Sequence, residues 1–219
     1  MVASSGARAW AFLRIPVEQS SQVDLPTQVD LPHLALANYI GGVTLFPWTN
    51  SSSPIDESRK MRLPGTDGAA GLAVVKTFDQ FGVERASHSL LAVARYPPAS
   101  SAPGADVGSV VMSLFIDPAA GPTVKHVQTL DTRDAYAVVA SRTGGAHYLV
   151  FASMSSHGSS VYAWGPDASR EYAWGTGSLT PSFSRIQTLP TERAAGLHAF
   201  SWRDTPYVLV AQVHPQHQT

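Results

Sequence analysis

The sequence predicts an all-β fold, a partial β-propeller of about four four-stranded blades. Three observations predict it: a repeat of nearly constant period, segments too short for helices, and turn-forming residues between them. Four apolar runs carry the period: Leu34-Ala35-Leu36-Ala37-Asn38, Leu91-Ala92-Val93-Ala94-Arg95, Leu149-Val150-Phe151-Ala152-Ser153 and Val208-Leu209-Val210-Ala211-Gln212. Aligned on Ala37, Ala94, Ala152 and Ala211, they recur at intervals of 57, 58 and 59 residues. Each segment of the repeat spans about 4–8 residues rich in β-branched, aromatic and leucine side chains, bounded by Gly, Pro, Ser or Asp, which is strand-and-turn chemistry. Helical arrays of similar period need amphipathic stretches of roughly ten or more residues, and the chain shows none.

A second element precedes each apolar run: Ser4 to Trp10, Thr66 to Leu72, Thr132 to Val138 and Thr191 to Leu197. Its pattern is Ser/Thr, two variable residues, Ala, any residue, Ala/Gly, then a large apolar side chain. Upstream again, His126 to Thr132 matches Arg185 to Thr191, with Lys60 to Thr66 as a weaker copy. Downstream of the runs come Thr44-Leu45-Phe46-Pro47-Trp48, Val111-Met112-Ser113-Leu114-Phe115 and Ser160-Val161-Tyr162-Ala163-Trp164. The units span about 1–53, 58–117, 123–168 and 181–219, two complete and two incomplete. Alanine is a poor strand former, so its recurrence in the third strand predicts a site where converging sheets restrict side-chain size. A tandem hexamer, Ser21 to Pro26 and Thr27 to Pro32, reads as a surface loop grown by duplication.

Composition narrows the functional classes. Of 219 residues, 44% are hydrophobic, ample for a core, and 15 Lys+Arg against 16 Asp+Glu leave a formal charge of −1. No basic block exists to neutralise phosphates or acidic lipid, so neither nucleic acid nor a membrane surface is an expected partner. No apolar run approaches the roughly 20 residues of a membrane helix, and Met1 to Trp10 lacks the segments of a signal peptide. With no cysteine, disulfides, thiol nucleophiles and Cys-based zinc sites are excluded.

The repeat resembles the EAR repeat, also called the epitempin or EPTP repeat. The best match is residues 124–164, with Gln128, Thr132, Ala135, the Tyr148 to Ala152 strand and the Val161-Tyr162-Ala163-Trp164 strand in place; residues 183–212 match nearly as well. Ala9, Gly71, Ala137 and Gly196 stand where the family often has Asp, so no polar role of that Asp carries over. The resemblance implies a seven-bladed propeller, of which this chain would be a fragment with two open edges, and such edges invite self-association. It also implies an extracellular or cell-surface setting and a protein partner of the receptor or adhesion type.

The sequence holds no nucleotide loop, zinc-protease helix, EF-hand loop or nucleophile elbow. Eight histidines are scattered; His214 and His217 could chelate, but a polar tail is the simpler reading, and no metal ligand or cofactor is assigned. Asp56 with Glu57 and Asp131 with Asp134 are the nearest approach to paired carboxylates, and both read as turn residues. Tyr162 and Trp164 read as core by repeat position, whereas Tyr172, Trp174 and Trp202 are the surface aromatics expected to bind a partner. Asn50-Ser51-Ser52 is a glycosylation sequon in a Ser-rich turn. The expected function is a non-enzymatic protein-interaction module. The alternatives are a propeller lectin or glycoside hydrolase, or an inactive truncated fragment.

Overall fold

The structure, a computed structural model, describes residues 6–16, 30–49, 52–76, 89–97, 108–117, 121–155, 158–165, 182–203 and 205–213. It is all-β, built of antiparallel meanders in which each strand pairs with its chain neighbour. The first sheet holds β1 (Ala7–Pro16), β2 (Asp30–Asn38), β3 (Gly42–Pro47) and the short β4 (Met61–Arg62), with a 3-10 turn at Glu57–Arg59 before β4. The second holds β5 (Ala69–Lys76), β6 (Ser89–Arg95), β7 (Ser109–Asp117) and β8 (Gly121–Leu130). The third holds β9 (Ala135–Thr143), β10 (Ala146–Ser153), β11 (Ser159–Gly165) and β12 (Ser182–Leu189). The fourth is a pair, β13 (Ala194–Trp202) and β14 (Thr205–Gln212). No helix among the described residues is long and apolar enough to cross a membrane.

Sheet composition differs from the sequence expectation in phase. The segments at Lys60, His126 and Arg185, which open sequence units two, three and four, pair as the outer strands β4, β8 and β12 of the sheet before. Among the described residues the result is three four-stranded sheets and one two-stranded sheet, not two complete and two incomplete sets. The reason lies in the turn that follows each outer strand. Thr66, Thr132 and Thr191 are buried there, and each hydroxyl accepts from an N–H at the start of the third strand: Val43 at 2.8 Å, Ser109 at 2.9 Å and Ser159 at 2.9 Å. Ser109 and Ser159 add hydroxyl contacts of 2.6 Å to the same threonines. Two residues on, Gly68, Asp134 and Arg193 adopt positive φ of 79°, 47° and 50°, and the chain turns into Ala69, Ala135 and Ala194, all fully buried at the start of the next sheet. The Ser/Thr-x-x-Ala element is therefore a latched corner between sheets.

Close backbone approach comes next. In each first strand one residue bulges out, Arg8, Ala70, Tyr136 and Ala195, and directly after it a small residue pairs with the repeat alanine: Ala9 with Ala37, Gly71 with Ala94, Ala137 with Ala152, Gly196 with Ala211. These small pairs face the following sheet. A methyl group on Gly71 would lie 2.9 Å from the Cα of Ala137, closer than atoms tolerate, so the first strands of the second and third sheets meet there backbone to backbone. Ala37, Ala94 and Ala152 are fully buried, as the size restriction predicts, whereas Ala211 is exposed because no described sheet covers that face.

Apolar side chains fill the remaining space in two layers. Leu13, Ile15, Ala35 and Leu45 of the first sheet meet Leu91, Val93, Met112 and Leu114 of the second. On the far side, Val75, Leu90, Ala92 and Val111 meet Val138, Leu149, Phe151 and Tyr162 of the third. Along β6 and β10 the alternating residues thus serve two interfaces, which is why these strands read as unbroken apolar runs.

Ala152→Leu is expected to lower stability by about 1–3 kcal/mol through overpacking, while Ala211→Leu shifts it by less than about 0.5 kcal/mol. Urea denaturation compares them, and equal costs contradict the packing account. Thr132→Val leaves the N–H of Ser109 buried without its acceptor and is expected to cost about 1–3 kcal/mol in the same assay.

Candidate interaction surface

Of the aromatic residues that the sequence singles out for binding, Trp202 lies on the described surface. Tyr172, Trp174 and the sequon residue Asn50 lie outside the described residues. Trp202 ends β13, pairs with Thr205 across a tight hairpin whose Arg203 has φ of 49°, and is 62% exposed. Strand alternation sets His198, Phe200 and Trp202 of β13 on one face with Tyr207 and Leu209 of β14. Phe200 and Tyr207 are cross-strand partners with rings stacked at 5.5 Å and 18°, and His198 continues the stack at 6.3 Å and 19°. The result is a flat aromatic face flanked by Leu209, itself 62% exposed.

Among the described residues this face differs from its repeats in being uncovered. Val150 of β10, the repeat counterpart of Leu209, is 3% exposed, against 62% for Leu209. The joints that would receive another sheet are present. Gly196 and Ala211 form the small pair on the same face as Leu209 and Tyr207. A second joint links outer strands. The amide of Gln128 in β8 accepts from the N–H of Phe183 in β12 and donates to its carbonyl, both at 2.8 Å, so a side chain stands in for a strand backbone. Gln187, its repeat counterpart in β12, is exposed, and the fourth sheet offers it no outer strand among the described residues. At the other end of the stack the first sheet also shows an apolar face, with Trp10 71% exposed and Phe12 set edge-on to Trp48 at 5.7 Å.

Tyr162 is buried in the core and Trp164, partly buried, packs against it, in keeping with their repeat position. Tyr162 packs edge-on to Phe151 at 5.7 Å, and Trp164 meets Phe183 at 4.8 Å. The Tyr162 hydroxyl donates to the carbonyl of Asp131, and burial pushes its pKa up to about 12.

The acidic clusters are engaged locally. Asp56 caps the 3-10 turn, accepting from the Ser58 N–H at 3.0 Å, the Ser58 hydroxyl at 2.6 Å and Arg59, and these bonds bring its pKa down to about 2. Asp131 sits 3.5 Å from the Arg185 guanidinium, and Asp134 occupies the left-handed corner residue. Among the described residues no group of three or more His, Asp or Glu side chains converges to hold a metal. His33 and His147 are buried, and desolvation depresses both pKa values. His214 and His217 lie outside the described residues.

Sequence reasoning missed the Gln128 bridge, although Gln recurs at 128 and 187 in matching segments. It also missed Gly42, Gly108 and Gly158, which directly precede the latched residues Val43, Ser109 and Ser159. A methyl group at Gly108 or Gly158 would lie 2.5 Å from the carbonyl oxygen of Leu130 or Leu189.

Gln128→Leu leaves the Phe183 backbone without its partners and is expected to cost about 1–3 kcal/mol. Gln187→Leu is expected to stay within about 0.5 kcal/mol. Urea midpoints of the two variants measure the difference.

No curated protein matches the chain. Residues 125–164, which run from β8 through β11, match the family model described as the EPTP domain. That unit, latched by Thr132 and bridged by Gln128, is the part of the chain that is similar to the EPTP domain.

Proposed function

We propose that this chain is a non-enzymatic protein-interaction module on a partial β-propeller, acting in cell-surface recognition or adhesion outside the cell. The observation that carries the reading is the uncovered aromatic face of the fourth sheet, where Phe200, Trp202, Tyr207 and Leu209 all stand exposed. Flat, rigid aromatic groups of this kind are the side chains that dominate protein interfaces, because they bury a large apolar area while losing little rotational freedom. The extracellular setting rests on the EPTP repeat and on the Asn50 sequon. The same face and the β14 edge, unpaired among the described residues, also suit pairing with a second copy of the chain.

The test is binding of fluorescently labelled protein to intact cells, before and after trypsin treatment of the cell surface. Saturable binding that trypsin removes, and that Trp202→Asp weakens by about tenfold or more, supports the reading. Binding that survives trypsin, or that Trp202→Asp leaves intact, overturns it. Sedimentation of the same samples reports self-association, which Trp202→Asp is expected to reduce.

A further inference from the structure

At the corner end of the first three sheets, four side chains from separate strands meet. Arg8 and Tyr136 are the bulged residues of β1 and β9, and the bulge of the sheet between them holds only Ala70. Tyr39 and Tyr96 occupy one structural position, directly after β2 and β6, where their N–H groups donate to the carbonyls of Gly6 and Gly68 at 3.3 and 2.8 Å. Met154 and Val213 hold that position in the later repeats. The Arg8 guanidinium carbon lies over the rings of Tyr39 and Tyr136, 5.7 Å from each centroid, and the guanidinium donates to the Tyr136 hydroxyl at 2.7 Å. Tyr96 closes the cluster, 6.1 Å from Tyr39 and 6.0 Å from Tyr136, and the Tyr39 hydroxyl donates to the carbonyl of Pro97 at 2.9 Å.

Arg8 is thus exposed yet held in one orientation by aromatic rings and a phenol, with no carboxylate partner among the described residues. Elsewhere Arg59, Arg62 and Arg185 each have an Asp partner. An arginine held this way loses little freedom when its remaining N–H groups meet a planar, two-oxygen acceptor. One guanidinium with no lysine in the cluster matches a single negative charge rather than a phosphate dianion. We propose that Arg8, oriented by Tyr39 and Tyr136, is a binding site for a carboxylate carried by an acidic peptide segment of a partner. The carboxylate follows from the Arg8 geometry; the choice of a peptide as its carrier rests on the interaction-module reading above.

The test uses acetylated glutamate tetrapeptide amide as probe, the glutamine tetrapeptide as neutral control and tetragalacturonate as a sugar carboxylate, measured by calorimetry at low salt. The glutamate peptide is expected to bind about 10- to 100-fold more tightly than the glutamine peptide, as a charge-assisted contact requires. Arg8→Gln abolishes that difference, Arg8→Lys keeps the charge but weakens binding by about tenfold for lack of the planar fork, and Tyr136→Phe weakens it while keeping the ring. Trp202→Asp leaves peptide binding unchanged, which separates this site from the cell-binding face. Equal or undetectable binding of both peptides, undiminished binding by Arg8→Gln, or binding of tetragalacturonate alone overturns the proposal. Should Arg8→Gln fail to fold by circular dichroism, Arg8→Lys and Tyr136→Phe decide: unchanged affinity in both overturns it.

Discussion

The distance between neighbouring first strands is the constraint on which the rest of this structure depends. Where β5 and β9 meet, the Cα of Gly71 faces the backbone of Ala137 with no room for a methyl group, and every first strand carries Ala or Gly at that place. At that place backbones, not side chains, meet. Cohesion comes from side chains further along the first strands, such as Leu13, Ile15, Val75 and Val138, from the leucines, valines and Phe151 of the second and third strands, and from polar latches at the corners. The bulge before each small pair is the complementary adjustment. It takes up the one residue that would otherwise point between the sheets and sends it to the end of the stack, as Arg8 and Tyr136 show.

Much of this was legible in the sequence, and the boundary of legibility has a physical cause. Short-range regularities survive in one dimension. The spacing of Ala37, Ala94 and Ala152 reports a restriction that each strand meets by itself, and Thr132 and Thr191 recur because each corner needs its own hydroxyl. Pairing phase is different, because nothing local to His126 or Arg185 says whether that strand hydrogen-bonds forward or backward. The answer lies in the backward bonds of β8 to β7 and β12 to β11. Gln128 was similarly opaque, since its partner Phe183 lies 55 residues on in the chain.

The candidate surface was legible only in part. Trp202 could be singled out among the aromatics that cluster in the third and fourth units, but its neighbours could not. The stack of His198, Phe200 and Tyr207 exists because a tight hairpin places β13 and β14 in one register. The Arg8 cluster left no mark at all. Arg8 and Tyr136 are 128 residues apart and occupy positions held by alanine in the other two repeats, so periodicity treats both as noise. Functional groups on a repeat scaffold are expected at such departures, because the shared positions are committed to joining sheets.

The half-step between sequence unit and sheet bears on how such chains grow. A duplicated stretch of this period adds three strands of its own and one strand belonging to its upstream neighbour, so what is copied is a joint between modules. A newly inserted copy therefore arrives already stitched on both sides. Loss of one whole copy is the reverse of its gain, because the leading segment of the next copy then completes the upstream sheet, so such arrays can change length by whole periods without breaking a sheet.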